Sequence, residues 1–95
     1  MKRKSSAARI SDLLGISQAR GMEAVIKAEL ISAVLKMSEK ENLTHAELAK
    51  RSGLPRSAVT GILSGSLQKV TIDRVLRLIE AVGLVAEVKV HKKTA

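Results

Sequence analysis

Between Leu43 and Gly65 the chain starts and stops a helix twice, and this punctuation constrains the fold more than any other feature of the sequence. Thr44-His45-Ala46-Glu47 has the form of a capping box: the Thr44 hydroxyl caps the amide of residue 47, and the Glu47 carboxylate reaches back to the amide of Thr44. Leu43, just ahead of the cap, is spaced to staple onto Leu48. The pattern predicts a short helix from His45 to Arg51, ended by Gly53, where a missing side chain permits positive φ. Pro55 then suits the first turn of a second helix, where an amide hydrogen would be unpaired in any case. That helix runs to Leu63 and stops at Ser64-Gly65, and residues 66–70 form a loop.

The flanking segments fill out a helical domain. From Met22 to Lys40 the apolar residues Met22, Ile26, Leu30, Ala33 and Met37 recur at spacings of three and four, flanked by Val25, Val34 and Leu35, which predicts the longest helix. Glu23 and Lys27 add a favourably oriented i,i+4 pair. Ahead of it, residues 1–8 read as a basic arm and Ala8–Leu14 as a short helix ending at Gly15. Gly15 to Gly21 is a connection or a frayed helical start. Beyond the loop, Thr71 caps a helix over Ile72–Val82 with Val75, Leu76, Ile79 and Val82 as its apolar stripe, and Gly83 closes it.

At the end the period changes. Leu84, Ala86, Val88 and Val90 alternate with Val85, Glu87, Lys89 and His91, the two-residue repeat of a strand with one buried face. A lone strand leaves its backbone groups unpaired, and pairing with a second copy across a twofold axis is the simplest remedy. With the axis at Val88, Glu87 faces Lys89 of the other subunit, so the dimer interface is expected at Ala86, Glu87, Val88, Lys89 and Val90. A frayed tail is the alternative. The expected fold is therefore all-α, a bundle of about five helices with a C-terminal β-strand paired across a dimer. It divides into 1–21 (basic arm and pre-helix), 22–84 (core domain) and 85–95 (dimerising strand and basic tail).

Composition narrows what such a fold can do. Ninety-five residues allow one core, and with no Phe, Tyr or Trp that core must be aliphatic. Modules that read RNA or single strands stack bases on aromatic rings, which this chain lacks. With no cysteine, disulfides and thiolate metal sites are excluded, and His45 and His91 lack the neighbours of a metal site, so no metal or cofactor is expected. No nucleophile-base pattern, phosphate-cradling glycine loop or carboxylate pair points to an enzyme. No apolar run suggests a signal peptide or a membrane span, so a cytoplasmic protein is expected. The net charge of +8 points to a polyanionic partner. Charge is concentrated in residues 1–10 (Lys2, Arg3, Lys4, Arg9), in the tail (Lys89, Lys92, Lys93), and in a net excess of +3 over residues 43–70 (Lys50, Arg51, Arg56 and Lys69 against Glu47).

Two short helices joined by a tight Gly-containing turn and followed by a stabilising helix make a helix-turn-helix. The stretch Leu43 to Gly65, with its capped Thr44, small Ala49, Gly53 in the turn, Leu54 and Val59 in the core and Ser64-Gly65 ending, resembles the lambda repressor and Cro type, the XRE family. In that geometry the start of the second helix points at base edges and the first helix lies over the backbone. Arg56 is placed for a bidentate guanine contact, with Ser57 and Thr60 as shorter base contacts. Thr44, His45, Lys50, Gly61 and Lys69 are placed for phosphate contact or close approach. Two positions depart from the family pattern: His45 stands where Gln commonly bonds a phosphate and braces a neighbour, and Pro55 stands where Ser or Thr commonly caps the recognition helix.

Leu13-Leu14-Gly15, Lys27-Ala28-Glu29-Leu30 and Val82-Gly83-Leu84-Val85-Ala86-Glu87-Val88 are similar to the small antitoxins of the HigA kind. That resemblance implies a dimer that represses its own operon and neutralises a RelE/HigB-like toxin, with Ile10, Leu13, Leu14 and Ile16 as the surface a toxin would cover. The rival is a stand-alone XRE-type regulator with no toxin partner, in which the N-terminal arm binds phosphates through Lys2, Arg3 and Lys4. Either way duplex DNA is the expected partner.

Overall fold

The computed structural model describes Gly15, residues 17–65 and residues 70–93. Among them four helices follow in order: α1 (Gln18–Lys40), α2 (His45–Ser52), α3 (Arg56–Leu63) and α4 (Ile72–Ala81). The expected pre-helix over Ala8–Leu14 lies outside the described residues.

Helix α1 begins at Gln18 and not at Met22, because Ser17 caps it: the Arg20 amide donates to the Ser17 hydroxyl at 3.3 Å. Gly21, expected in the connection, is a buried residue of the first turns. The helix ends in a Schellman turn, with Asn42 at φ 54° and the Leu43 amide donating to the Ser38 carbonyl at 2.8 Å. Its buried side also differs from the expected stripe. Met22 and Ile26 are 50% and 43% exposed, whereas Lys27, Ile31, Val34 and Ser38 are buried. Leu30, Ala33 and Met37 of the expected stripe pack partly buried against the core, so the buried face takes in part of that stripe together with the residues one position further on. Apolar residues surround α1 almost evenly, so periodicity did not select a side; packing against α4 and α3 did. The Glu23–Lys27 pair forms at 3.6 Å, but with the lysine buried and the carboxylate half-exposed.

The four helices enclose one aliphatic core. Helix α1 lies on α4, α2 packs against both α3 and α4, and α1 touches α3 more lightly. Leu48 of α2, Val59 of α3, Val75 and Leu78 of α4 and Val34 of α1 are fully enclosed. Leu43 packs half-buried against the same cluster, where a staple ahead of α2 belongs. In α4 and at its C-cap, Val75, Ile79 and Val82 are buried as expected, but Leu76 is 43% exposed and Leu78 takes its place. The set 75, 78, 79, 82 is the i, i+3, i+4, i+7 face of one helix, and Leu76 lies about 100° off it.

Helix α4 closes on Gly83 at φ 79°, with the Leu84 amide donating to the Ile79 carbonyl at 3.0 Å. Beyond Leu84 no strand is present within the single chain: residues 84–93 carry no regular structure, and Val85, Val88 and Val90 are 90%, 83% and 90% exposed. Ala86, Glu87 and Lys89 are exposed too, so both faces of the alternation are open. A ladder requires a second strand, and no strand occurs among the described residues of one chain to supply it. The tail runs back toward the start of α1, where Lys93 Nζ donates to Gln18 Oε1 at 3.2 Å. No described helix is long and apolar enough to cross a membrane.

Candidate nucleic-acid interface

Local sequence chemistry sets the two short helices. The capping box ahead of α2 is complete: the Glu47 amide donates to the Thr44 hydroxyl at 3.1 Å, and the Thr44 amide donates to Glu47 Oε1 at 3.3 Å. The Thr44 hydroxyl also donates to Glu47 Oε1 at 3.2 Å. Its proton is therefore committed, and an anion near Thr44 would meet the leading amides of α2, which have no partner one turn earlier. Helix α2 ends one residue later than expected, at Ser52, and Gly53 at φ 74° turns the chain. The Ser52 hydroxyl braces that turn, donating to the Ala49 carbonyl at 3.4 Å and accepting from the Leu54 amide at 3.2 Å. Leu54 is buried, which pins the turn to the core.

Pro55 sits just before α3 and not within its first turn, at φ −61° and ψ 145°, with no side-chain cap. Its carbonyl accepts the amides of Ala58 and Val59 at 3.0 and 3.1 Å, so the helix starts on backbone geometry alone. Helix α3 has two unlike faces. Val59 and Ile62 are buried, with Ala58 and Leu63 packed beside them, while Arg56, Ser57 and Thr60 share the opposite, exposed side. Gly61 borders that side. A Cβ built there would meet no other part of the protein within 4 Å. The three residues expected at base edges and the glycine expected at a close approach thus lie on one continuous strip.

One polar contact ties the strip to α2. His45 Nδ1 lies 3.0 Å from Thr60 Oγ1, joining the first residue of α2 to the fifth of α3. Spacing along the chain does not announce this contact; the family pattern of a bracing residue at the position of His45 was the only sequence signal for it. Lys50 is exposed on α2, as a phosphate contact requires. Arg51 is engaged elsewhere, its guanidinium reaching the Ala81 carbonyl at 3.5 Å, where a cation complements the end of α4. Ser64, which sequence reasoning used only as a helix stop, is exposed at the end of the strip, its hydroxyl donating to the Gly61 carbonyl at 3.0 Å. Lys69 lies outside the described residues. So do Ile10, Leu13, Leu14 and Ile16, together with Lys2, Arg3 and Lys4.

A strip of a cation, two hydroxyls and a glycine on a short helix, tied to a capped neighbour, is suited to entering a groove. A family model described as a helix-turn-helix domain matches residues 11–91. No curated protein and no solved structure matches the chain.

Proposed function

Because the chain belongs to the helix-turn-helix domain family, we propose that it is a sequence-specific repressor that lays α3 in the major groove of duplex DNA. In this reading it acts as a twofold dimer on a palindromic operator in its own upstream region. The observation that carries the reading is the strip formed by Arg56, Ser57, Thr60 and Gly61, open on the side of α3 opposite its buried Val59 and Ile62. Arg56 takes the role of bidentate guanine contact, and loss of such a contact costs about 1–3 kcal/mol and relaxes one base pair. Lys50 and the leading amides of α2 hold phosphates and set register without reading sequence.

Titration of a labelled duplex from the protein's upstream region tests this, with wild type and Arg56→Ala, at several salt concentrations and against scrambled DNA. Tight, salt-sensitive binding that loses its sequence preference in the variant is expected. Equal, weak binding of both proteins to both duplexes overturns it.

The same reading gives the protein a second partner, a RelE/HigB-like toxin covered through Ile10, Leu13, Leu14 and Ile16. Its support is the sequence resemblance to HigA-type antitoxins. Co-expression with the product of an adjacent small basic reading frame should recover a complex that Leu13→Asp with Leu14→Asp abolishes. DNA binding without any such complex leaves a stand-alone regulator.

A further inference from the structure

We infer that His45 is a positioning residue that sets the hydrogen-bond polarity Thr60 presents to a base edge, and through it the kind of base accepted at one position of the site. The inference rests on α3 being the base-reading helix.

The 3.0 Å contact between His45 Nδ1 and Thr60 Oγ1 couples two groups of variable polarity. A hydroxyl has one proton and two lone pairs, and each imidazole nitrogen is either a donor or an acceptor. When Nδ1 is bare, Thr60 gives its proton to the ring, and only lone pairs are left to face outward. When Nδ1 carries a proton the ring donates, and the Thr60 proton is free to point away. In the free protein a neutral ring permits both, through its two tautomers.

A phosphate at the start of α2 removes that freedom. The nitrogen left to meet it is Nε2, and a phosphate oxygen only accepts, so Nε2 must hold a proton. A neutral ring then has Nδ1 bare, and an imidazolium has Nδ1 protonated. On DNA the charge of His45 then decides whether the Thr60 proton is free. With the neutral ring, Thr60 only accepts and suits the amino groups of adenine or cytosine; with the charged ring it can also donate, and guanine O6 or N7 and thymine O4 become partners.

His45 shares this end of the fold with groups from three helices. Glu47 lies in its own first turn, held in the capping box. Glu39 and Asn42 from the end of α1 line the same open groove as His45, with Leu63 of α3. Arg56 stands one turn before Thr60 on the exposed strip. A contact that merely braced α2 against α3 would hold at either charge state, and a glutamine would serve as well. A base preference that changes with pH separates the two roles.

The full chain would be used to select duplexes from a randomised library at roughly pH 8 and roughly pH 5.5. Thr60→Ser, Thr60→Val and His45→Gln run alongside, with folding followed by circular dichroism. At one position per half-site, wild type and Thr60→Ser should select adenine or cytosine at the higher pH and should additionally accept guanine or thymine as pH falls. The change expected is roughly two- to ten-fold, the worth of a single hydrogen bond. Thr60→Val and His45→Gln should show no such change while the base pair read by Arg56 stays the same. A wild-type preference independent of pH, or a shift that persists in Thr60→Val, overturns the inference. If Thr60→Val fails to fold, His45→Gln carries the same comparison. Failure of the wild type to select any sequence at either pH is a different result, and removes the base-reading role of α3 itself.

Discussion

Gly61 occupies the interior of α3, where glycine costs about 0.5–1 kcal/mol relative to alanine through lost backbone entropy. Its backbone is ordinary helix and a Cβ would meet no other protein atom within 4 Å, so nothing inside the molecule asks for glycine there. In the proposed reading an approaching groove does. Gly61→Ala should raise the stability of the free protein by about 0.5–1 kcal/mol in thermal melts and weaken its duplex binding in the same preparation. A variant that is both more stable and equally tight on DNA would remove Gly61 from the interface. The core offers a second comparison at this scale. Leu78 is fully enclosed and Leu76 is 43% exposed, although their sequence neighbourhoods are alike. Leu78→Ala should cost about 2–5 kcal/mol in denaturant unfolding. Leu76→Ala should cost much less, and equal losses would contradict the packing of α4.

Each helix owes its ends to local chemistry, and the elements differ in how far that chemistry also fixed their packing. Helix α2 is bounded by a complete capping box and a left-handed glycine, both written in contiguous residues. Thr44→Ala should therefore destabilise the fold by about 1 kcal/mol, and it should loosen duplex binding further, because the frayed turn holds His45. Circular dichroism and a binding titration on the same variant check this; a stability loss with unaltered affinity would disconnect the cap from the interface. Helix α1 behaves differently. Its start falls in the segment read as a connection or a frayed helical start, where Ser17 caps it, and its most buried residues lie beside the expected stripe because apolar residues ring the helix. Where a stripe is narrow, as on α3, sequence periodicity and burial agree.

For the whole molecule, charge and symmetry are the properties to test. The net charge of +8 includes the tail residues Lys89, Lys92 and Lys93, which lie on an exposed segment without regular structure. Each phosphate neutralised contributes about 0.9 to the slope of log affinity against log salt. Lys50→Ala should accordingly flatten that slope by about 1 and weaken all sequences alike. The exposed valines beyond Leu84 motivate the proposed pairing of two copies through Ala86, Glu87, Val88, Lys89 and Val90. Cutting the chain after Leu84 leaves the described core intact, so light scattering should show a full-length dimer and a truncated monomer. An unchanged mass defeats the strand-pairing proposal.

The residues between Leu43 and Gly65 determined the two short helices, their turn and the strip on α3, because caps, positive-φ glycines and a narrow apolar face act within a few neighbouring residues. The aliphatic character of the core followed from composition in the same way. Three things were decided only by tertiary structure. Packing on α4 and α3 chose which side of α1 is buried, taking Lys27 inside with it. The crossing of α2 and α3 brought His45 to Thr60 across fifteen positions of sequence. Within one chain the alternating tail has no ladder, since a strand is a property of two backbones and no second strand occurs among the described residues.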